Sequence, residues 1–308
     1  GSAYHAYRMV WGRAGCIGCD MKRIVIIGNS AAGIAASEAI REMDKESSVT
    51  IVSDESFMAY ERPKILGFLE GKIKERDLFY RDQDFYKNNA LDLILGREVV
   101  ELNLNKKKVI FKDREFVGFD ELLIASGVRV SLPKLPGIHK EGVVALNGLS
   151  ELKYIVDNLP IAHTVIIVGP GQVAEELARI IAAKKIDVKY LGALSESIEG
   201  VDVIFDNPIL EILGDSEARA VRLSTQKVIG ASLVIFPRTG HANIDLVKDT
   251  EIKVNTGIVV DACMRTNVPF VLAAGDVCEY QDENRHKVCG WESAQAEGKI
   301  AGRMLCQT

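Results

Sequence analysis

Two short stretches carry residue types that grip phosphate through the main chain. The first is Gly28-Asn29-Ser30-Ala31-Ala32-Gly33; the second is Gly169-Pro170-Gly171-Gln172-Val173-Ala174. Small residues let a turn approach an anion closely. A helix opening after the turn aims free N–H groups and the positive end of its dipole at it. The dinucleotide pattern is Gly-x-Gly-x-x-Gly/Ala. Gly169, Gly171 and Ala174 satisfy it, whereas the first copy has Ser30 at the middle position. A serine backbone still binds phosphate, and its hydroxyl can donate. One such turn is a weak signal, and two in one chain are far more specific. An acid about 20 positions past the glycines takes the ribose hydroxyls. After the first copy that place holds Ser53, Asp54 and Glu55, and the sequence does not choose between the two carboxylates. After the second copy it holds Gly192, with Glu196 and Glu199 the nearby acids and no arginine pair following.

The elements that must position these turns are legible around them. Residues 23–27 and 164–168 are continuous apolar runs, as expected of parallel strands buried on both faces. Residues 34–43 have helical composition. Residues 49–55 and 187–191 read as the second strand of each unit. Residues 76–90 read as helical, and 109–111 with 114–116 as a hairpin. Residues 209–214, 220–223 and 233–236 read together as a small meander. Pro133, Pro136 and Gly137 mark a linker. The expected fold class is α/β, with two Rossmann-like three-layer dinucleotide-binding domains, the second inserted in the first. The expected bounds are 21–147 with 255–308 for the first domain and 148–254 for an abbreviated second. Only residues 195–201 separate the strand 187–191 from the next apolar run, 202–205.

The chain has 308 residues, 47% hydrophobic and 26% charged, with a net charge of −5. That suits two domains of ordinary size. It argues against nucleic acid as a partner, since no basic domain stands out. No run approaches about 18 apolar residues, so no membrane span is expected. The first twenty residues have no apolar core of a secretory signal. Gly1-Ser2 resembles a protease scar and Met21 a natural start, so residues 1–20 read as a disordered leader or tag. Six cysteines do not form the framework of a small secreted domain, which implies a cytoplasmic setting. Cys16 and Cys19 form a Cys-x-x-Cys pair without a second pair to complete a metal site. Cys278 and Cys289 read as buried apolar thiols. No metal site is expected.

Tyr60-x-Arg62-Pro63-x-x-Leu66, this far after an N-terminal glycine turn, resembles the FAD-dependent pyridine-nucleotide oxidoreductases. The resemblance lies with the branch of rubredoxin reductases, ferredoxin reductases and the flavin part of nitrite reductases. Phe119 to Gly127 is similar to that family's Tyr-Asp-x-Leu-x-Ile-Ala-Thr-Gly, with Ser126 for threonine. Residues 270–276 are similar to its closing Gly-Asp motif, and Trp291 to Gly298 to its Trp-x-x-Ala-x-x-Gln-Gly, with Glu297 in the glutamine place. The resemblance implies FAD at Gly28, Ser30, Ala32, Gly33, Ser53, Asp54, Glu55, Arg62, Pro63, Lys64, Val99, Val100, Ala125, Ser126, Gly127, Gly275, Asp276 and Trp291. Val99 and Val100 would lie near the adenine, and Asp276 would hold the ribityl chain. It implies NAD(H) or NADP(H) at Gly169, Gly171, Gln172, Val173, Ala174 and Glu176, with Glu176 near the nicotinamide. Arg238 and His241 are unusual for that family, and His241 reads as a surface residue. The family's redox-active cysteine pairs are absent, and no residue stands out as a catalytic nucleophile. The activity implied is hydride transfer to FAD and electron transfer onward to a small iron or iron–sulfur protein. The alternative is an FAD-carrying subunit of a larger redox complex with weak or no nicotinamide binding.

Overall fold

The structure is a computed structural model. It describes residues 7–9, 21–130, 132–237, 241–280, 285–286 and 290–307. By packing, the chain divides into two units. The first is Gly1–Glu61, Phe79–Val128 and Ala242–Thr308; the second is Arg62–Leu78 and Arg129–His241. The sequence expectation had placed residues 62–78 and 129–147 in the first domain. Packing puts both segments with the second, because Ile65, Leu66, Phe68 and Leu69 join its core and Val143–Leu146 adds a strand to its sheet.

The first unit is built on a six-stranded sheet. Its strands are β1 (Tyr7–Met9), β2 (Arg23–Ile27), β3 (Ser48–Val52), β4 (Leu91–Leu95), β5 (Glu121–Ile124) and β11 (Val271–Ala273). They lie in the order β1-β4-β3-β2-β5-β11. All neighbours run parallel except β1, which pairs antiparallel with β4 at one edge. Residues 7–9, expected in a disordered leader, therefore form an edge strand, with Met9 packed against the core. The continuous run in β2 follows from burial on both faces. α1 (Ala31–Met43) and α6 (Trp291–Leu305) pack closely together. A Cβ on Gly298 would collide with the Ala32 carbonyl, and one on Gly302 with that of Ala36. The expected helix over 76–90 shrinks to a 3-10 turn at Glu75–Asp77 and α3 (Gln83–Asn88), which Asp82 caps through Phe85 N–H. The expected hairpin is part of a meander of Val99–Asn103, Lys108–Phe111 and Phe116–Gly118.

The second unit has a five-stranded parallel sheet of β6 (Val143–Leu146), β7 (Thr164–Val168), β8 (Asp187–Leu191), β9 (Val201–Ile204) and β10 (Leu233–Pro237). The order is β6-β10-β7-β8-β9. Alternate residues face opposite layers. Val165 and Ile167 meet the helices α2 (Ile65–Glu70), α4 (Leu149–Asn158) and α5 (Gln172–Ala183). Ile166 and Val168 meet the meander Ile209–Leu213, Ala220–Leu223 and Val228–Gly230. β10 was expected in that meander. It lies instead between β6 and β7, because all five of its residues are buried rather than alternating. β8 and β9 pair in parallel with no helix in the connection 192–200, as the short separation implied.

Candidate functional site

In the first unit, β2 delivers the chain into Gly28, which has φ +127 and donates its N–H to Val52 O at 2.8 Å. A Cβ there would collide with the Ala125 carbonyl, so both conformation and space demand glycine. Ser30 is the extended N-cap of α1, its hydroxyl makes no capping bond, and no acid sits in the first turn. The first-turn N–H groups thus have no side-chain acceptor of their own helix, which suits an anion. Ala32 and Gly33 are buried beneath the turn, and Gly33 lies against the Gly28 carbonyl.

The turn is pinned from a distance. Tyr86 donates its hydroxyl to Asn29 Oδ1 at 2.8 Å and accepts from Ala59 N–H, while Asn29 Nδ2 donates to Phe57 O. Burial pushes the Tyr86 phenol up to about 12, against the opposing effect of its hydrogen bonds to Ala59 and Asn29. Neither residue emerged from the sequence. Asn29 fills a variable place in the pattern, and Tyr86 reaches it from α3.

The carboxyl ends of β2, β5 and β11 are neighbours. Ala125 N–H donates to Ile27 O, and Ala274 N–H to Ile124 O. The structure therefore brings Gly28, Ala125–Gly127 and Gly275-Asp276 to one end of one sheet, where open α/β sheets take ligands. Ser126 Oγ donates to Asn243 O, and Gly127 O accepts from Asn243 N–H. Ser53 follows β3, and its Oγ accepts from Glu55 N–H. Glu55 in turn accepts from the Tyr60 hydroxyl at 2.6 Å, while Asp54 is exposed. Trp291 opens α6 with its ring edge-on to Tyr80, the centroids 5.5 Å apart. Val99 packs on the core and Val100 is 48% exposed. Arg62, Pro63 and Lys64 open the segment 62–78. They form a 3-10 turn of the second unit, where Arg62 Nη1 donates to Asn147 O at 2.8 Å. An uncapped helix start, a glycine turn and the Asp276 carboxylate at adjoining strand ends fit a dinucleotide.

In the second unit, Gly169 (φ +121) and Gly171 (φ +110) form the turn before α5. Gly169 O accepts from the buried Tyr190 hydroxyl at 2.7 Å. A Cβ on Gly171 would meet nothing within 4 Å, so the space above this helix start is open. Ala174 is buried, Gln172 and Val173 are exposed, and Glu176 ion-pairs with Arg179 at 3.5 Å. The loop after β8 folds back onto α5. Glu175 accepts from Ser195 N–H at 3.0 Å and from its hydroxyl, and Arg179 pairs with Glu196 at 3.0 Å. His241 is exposed. Arg238, Cys16, Cys19 and Cys289 lie outside the described residues. Among the described residues, Cys263 and Cys306 are free thiols, Cys278 is buried, and no helix is long and apolar enough to cross a membrane.

The NAD(P)H nitrite reductase of Bacillus subtilis is 25% identical to this chain, over 92% of the chain but 39% of its own length. The NADH-rubredoxin oxidoreductase of Clostridium acetobutylicum is 26% identical, over 92% of the chain and 74% of its own. Among solved structures, a covalent putidaredoxin reductase–putidaredoxin complex matches with TM-score 0.82 and 21% identity. The match covers 93% of this chain and 76% of that one. That likeness supports the two-unit Rossmann-like fold described above. Residues 22–298 match the pyridine nucleotide-disulphide oxidoreductase family as a whole, and with both turns in place the chain belongs to that family.

Proposed function

We propose that the chain is an FAD-dependent NAD(P)H oxidoreductase that passes electrons from a nicotinamide nucleotide through FAD to a small iron or iron–sulfur protein. The observation that carries this reading is the pair of glycine turns, each opening a helix with no side-chain cap, in a chain of this family. When bound, FAD accepts a hydride and releases electrons singly. The protein's part is to bind and orient. In this reading the start of α1 takes the FAD pyrophosphate, Asp276 holds the ribityl chain, and the Gly169–Gly171 turn takes the nicotinamide nucleotide near Glu176. The rubredoxin and putidaredoxin in the relatives' names support an iron-protein acceptor. The cytoplasmic setting rests on cysteine usage.

A second reading is favoured by one feature. Gly192 stands where a ribose carboxylate is expected, and the adjoining loop is tied to α5 through Glu175 and Ser195. This reading makes the chain an FAD-carrying electron-transfer subunit with weak nicotinamide binding. Anaerobic mixing of the FAD-loaded protein with NADH or NADPH separates the two. Bleaching at about 450 nm within seconds is the expected result. Loaded flavin that neither nucleotide bleaches would sink the first reading and leave the second.

A further inference from the structure

Glu297 is a buried carboxylate that the reading above does not use. It lies in α6, 7% exposed, and both its oxygens are engaged. Oε2 accepts from Gly275 N–H at 2.8 Å, and Oε1 accepts from the Tyr280 hydroxyl at 2.8 Å. One side chain thereby joins the helix, the turn after β11 and the strand Cys278–Tyr280. Gly275 has φ +83 and immediately precedes Asp276, so the bond to its N–H fixes the Ala274–Gly275 peptide, which leads into the turn that carries Asp276. The helix cannot slide to compensate, because Gly298, the next residue, sits against the Ala32 carbonyl.

The sequence resemblance places glutamine here. A glutamine has one acceptor oxygen and a donor amide, so it cannot offer a separate oxygen to the Gly275 N–H and to the Tyr280 hydroxyl as Glu297 does, and it brings no charge to either bond. We propose that Glu297 is a positioning residue for the cofactor, setting the Gly275-Asp276 turn through one oxygen while Tyr280 holds the other. This rests on the assignment of FAD to the first unit. Its specific content is that Glu297 acts through Asp276.

The test compares the wild-type chain, Glu297→Gln, Tyr280→Phe, Asp276→Ala and the double variant Asp276→Ala with Glu297→Gln. FAD affinity is titrated on each apo-protein, the visible circular dichroism of bound flavin is recorded, and apo-protein melting is followed in parallel. Glu297→Gln is expected to weaken FAD binding about tenfold and alter the flavin dichroism, the size of a lost charged hydrogen bond. Tyr280→Phe keeps the Gly275 bond and is expected to weaken binding by a smaller factor. In the Asp276→Ala background, Glu297→Gln is expected to cost nothing further. Fully additive losses, or an unchanged affinity and dichroism in Glu297→Gln, overturn the proposal while FAD binding by the wild type stands. If Glu297→Gln fails to fold, Tyr280→Phe decides: wild-type affinity and dichroism there overturn it. A wild-type chain that binds no FAD overturns both this proposal and the functional reading beneath it.

Discussion

At the residue scale, several buried polar groups serve as anchors whose worth depends on their partners. Glu279 is 4% exposed and accepts from Asn255 Nδ2, from Thr256 N–H and hydroxyl, and from Gly257 N–H. Burial alone would raise its carboxyl, but these donors outweigh burial and hold it below the usual glutamate value. A carboxyl lowered by folding adds stability above its unfolded value and loses it as pH falls through the folded one. Glu279→Ala should therefore cost about 3 kcal/mol at neutral pH, with the deficit shrinking below about pH 4. Denaturant melts at both pH values check this, and an equal deficit at both would contradict it. Tyr80 is the opposite case. Its hydroxyl is buried with no partner among the described residues, and burial raises its phenol above the ordinary value. Tyr80→Phe removes an unsatisfied group and keeps the ring against Trp291. It should leave stability unchanged or raise it by about 1 kcal/mol, as a thermal melt will register. A clear loss of stability would mean that the hydroxyl has a partner.

At the element scale, α1 and α6 are brought together by small residues. Gly298 and Gly302 face the Ala32 and Ala36 carbonyls at a distance no other side chain permits. Gly302→Val forces the helices apart and should destabilise the protein by about 3 kcal/mol or prevent folding, as urea unfolding would reveal. Wild-type stability would show that this approach is not needed. The second unit's loop 192–200 is seated in the core by Ile198 and Leu194 and tied to α5 by polar contacts at the surface, from Ser195 to Glu175 and from Glu196 to Arg179. Contacts this exposed contribute little each. Glu175→Ala should therefore change the melting temperature hardly at all. It should alter nicotinamide-nucleotide affinity, measured by equilibrium titration, if the tied loop restricts the adenosine side. Unchanged affinity would remove the loop as a determinant. β9 at the sheet edge ends beside Phe205, which is 72% exposed.

At the scale of the whole molecule, ligand linkage tests the architecture's purpose. A cofactor that binds only the folded state raises the melting temperature in proportion to the logarithm of its concentration. FAD should do so, and a melt insensitive to FAD would count against the first unit as its site. How much of this was legible in the chain varies with the kind of interaction. The glycine turns, the parallel strands and the short connection after β8 could be read from the sequence. Main-chain conformation and two-face burial leave local signatures, as Gly28, Gly171 and the run 23–27 show. The pairing of β10 could not be read, since an apolar run of five suits a meander or a central strand until its neighbours are known. The unit to which Arg62–Lys64 belong could not be read for a related reason. A motif fixes residue types, but packing of α2 against α4 and α5 decided which unit carries it. Tyr86 beneath Asn29, and Glu297 beneath Gly275, depend on contacts between distant elements that leave no periodic trace. What the sequence alone determined was therefore where the backbone must bend and which segments must be buried, because both are set by local sterics and hydrophobicity. Only the tertiary structure decided which buried polar groups hold those bends, because a hydrogen bond is specified by the place of its partner and not by either residue alone.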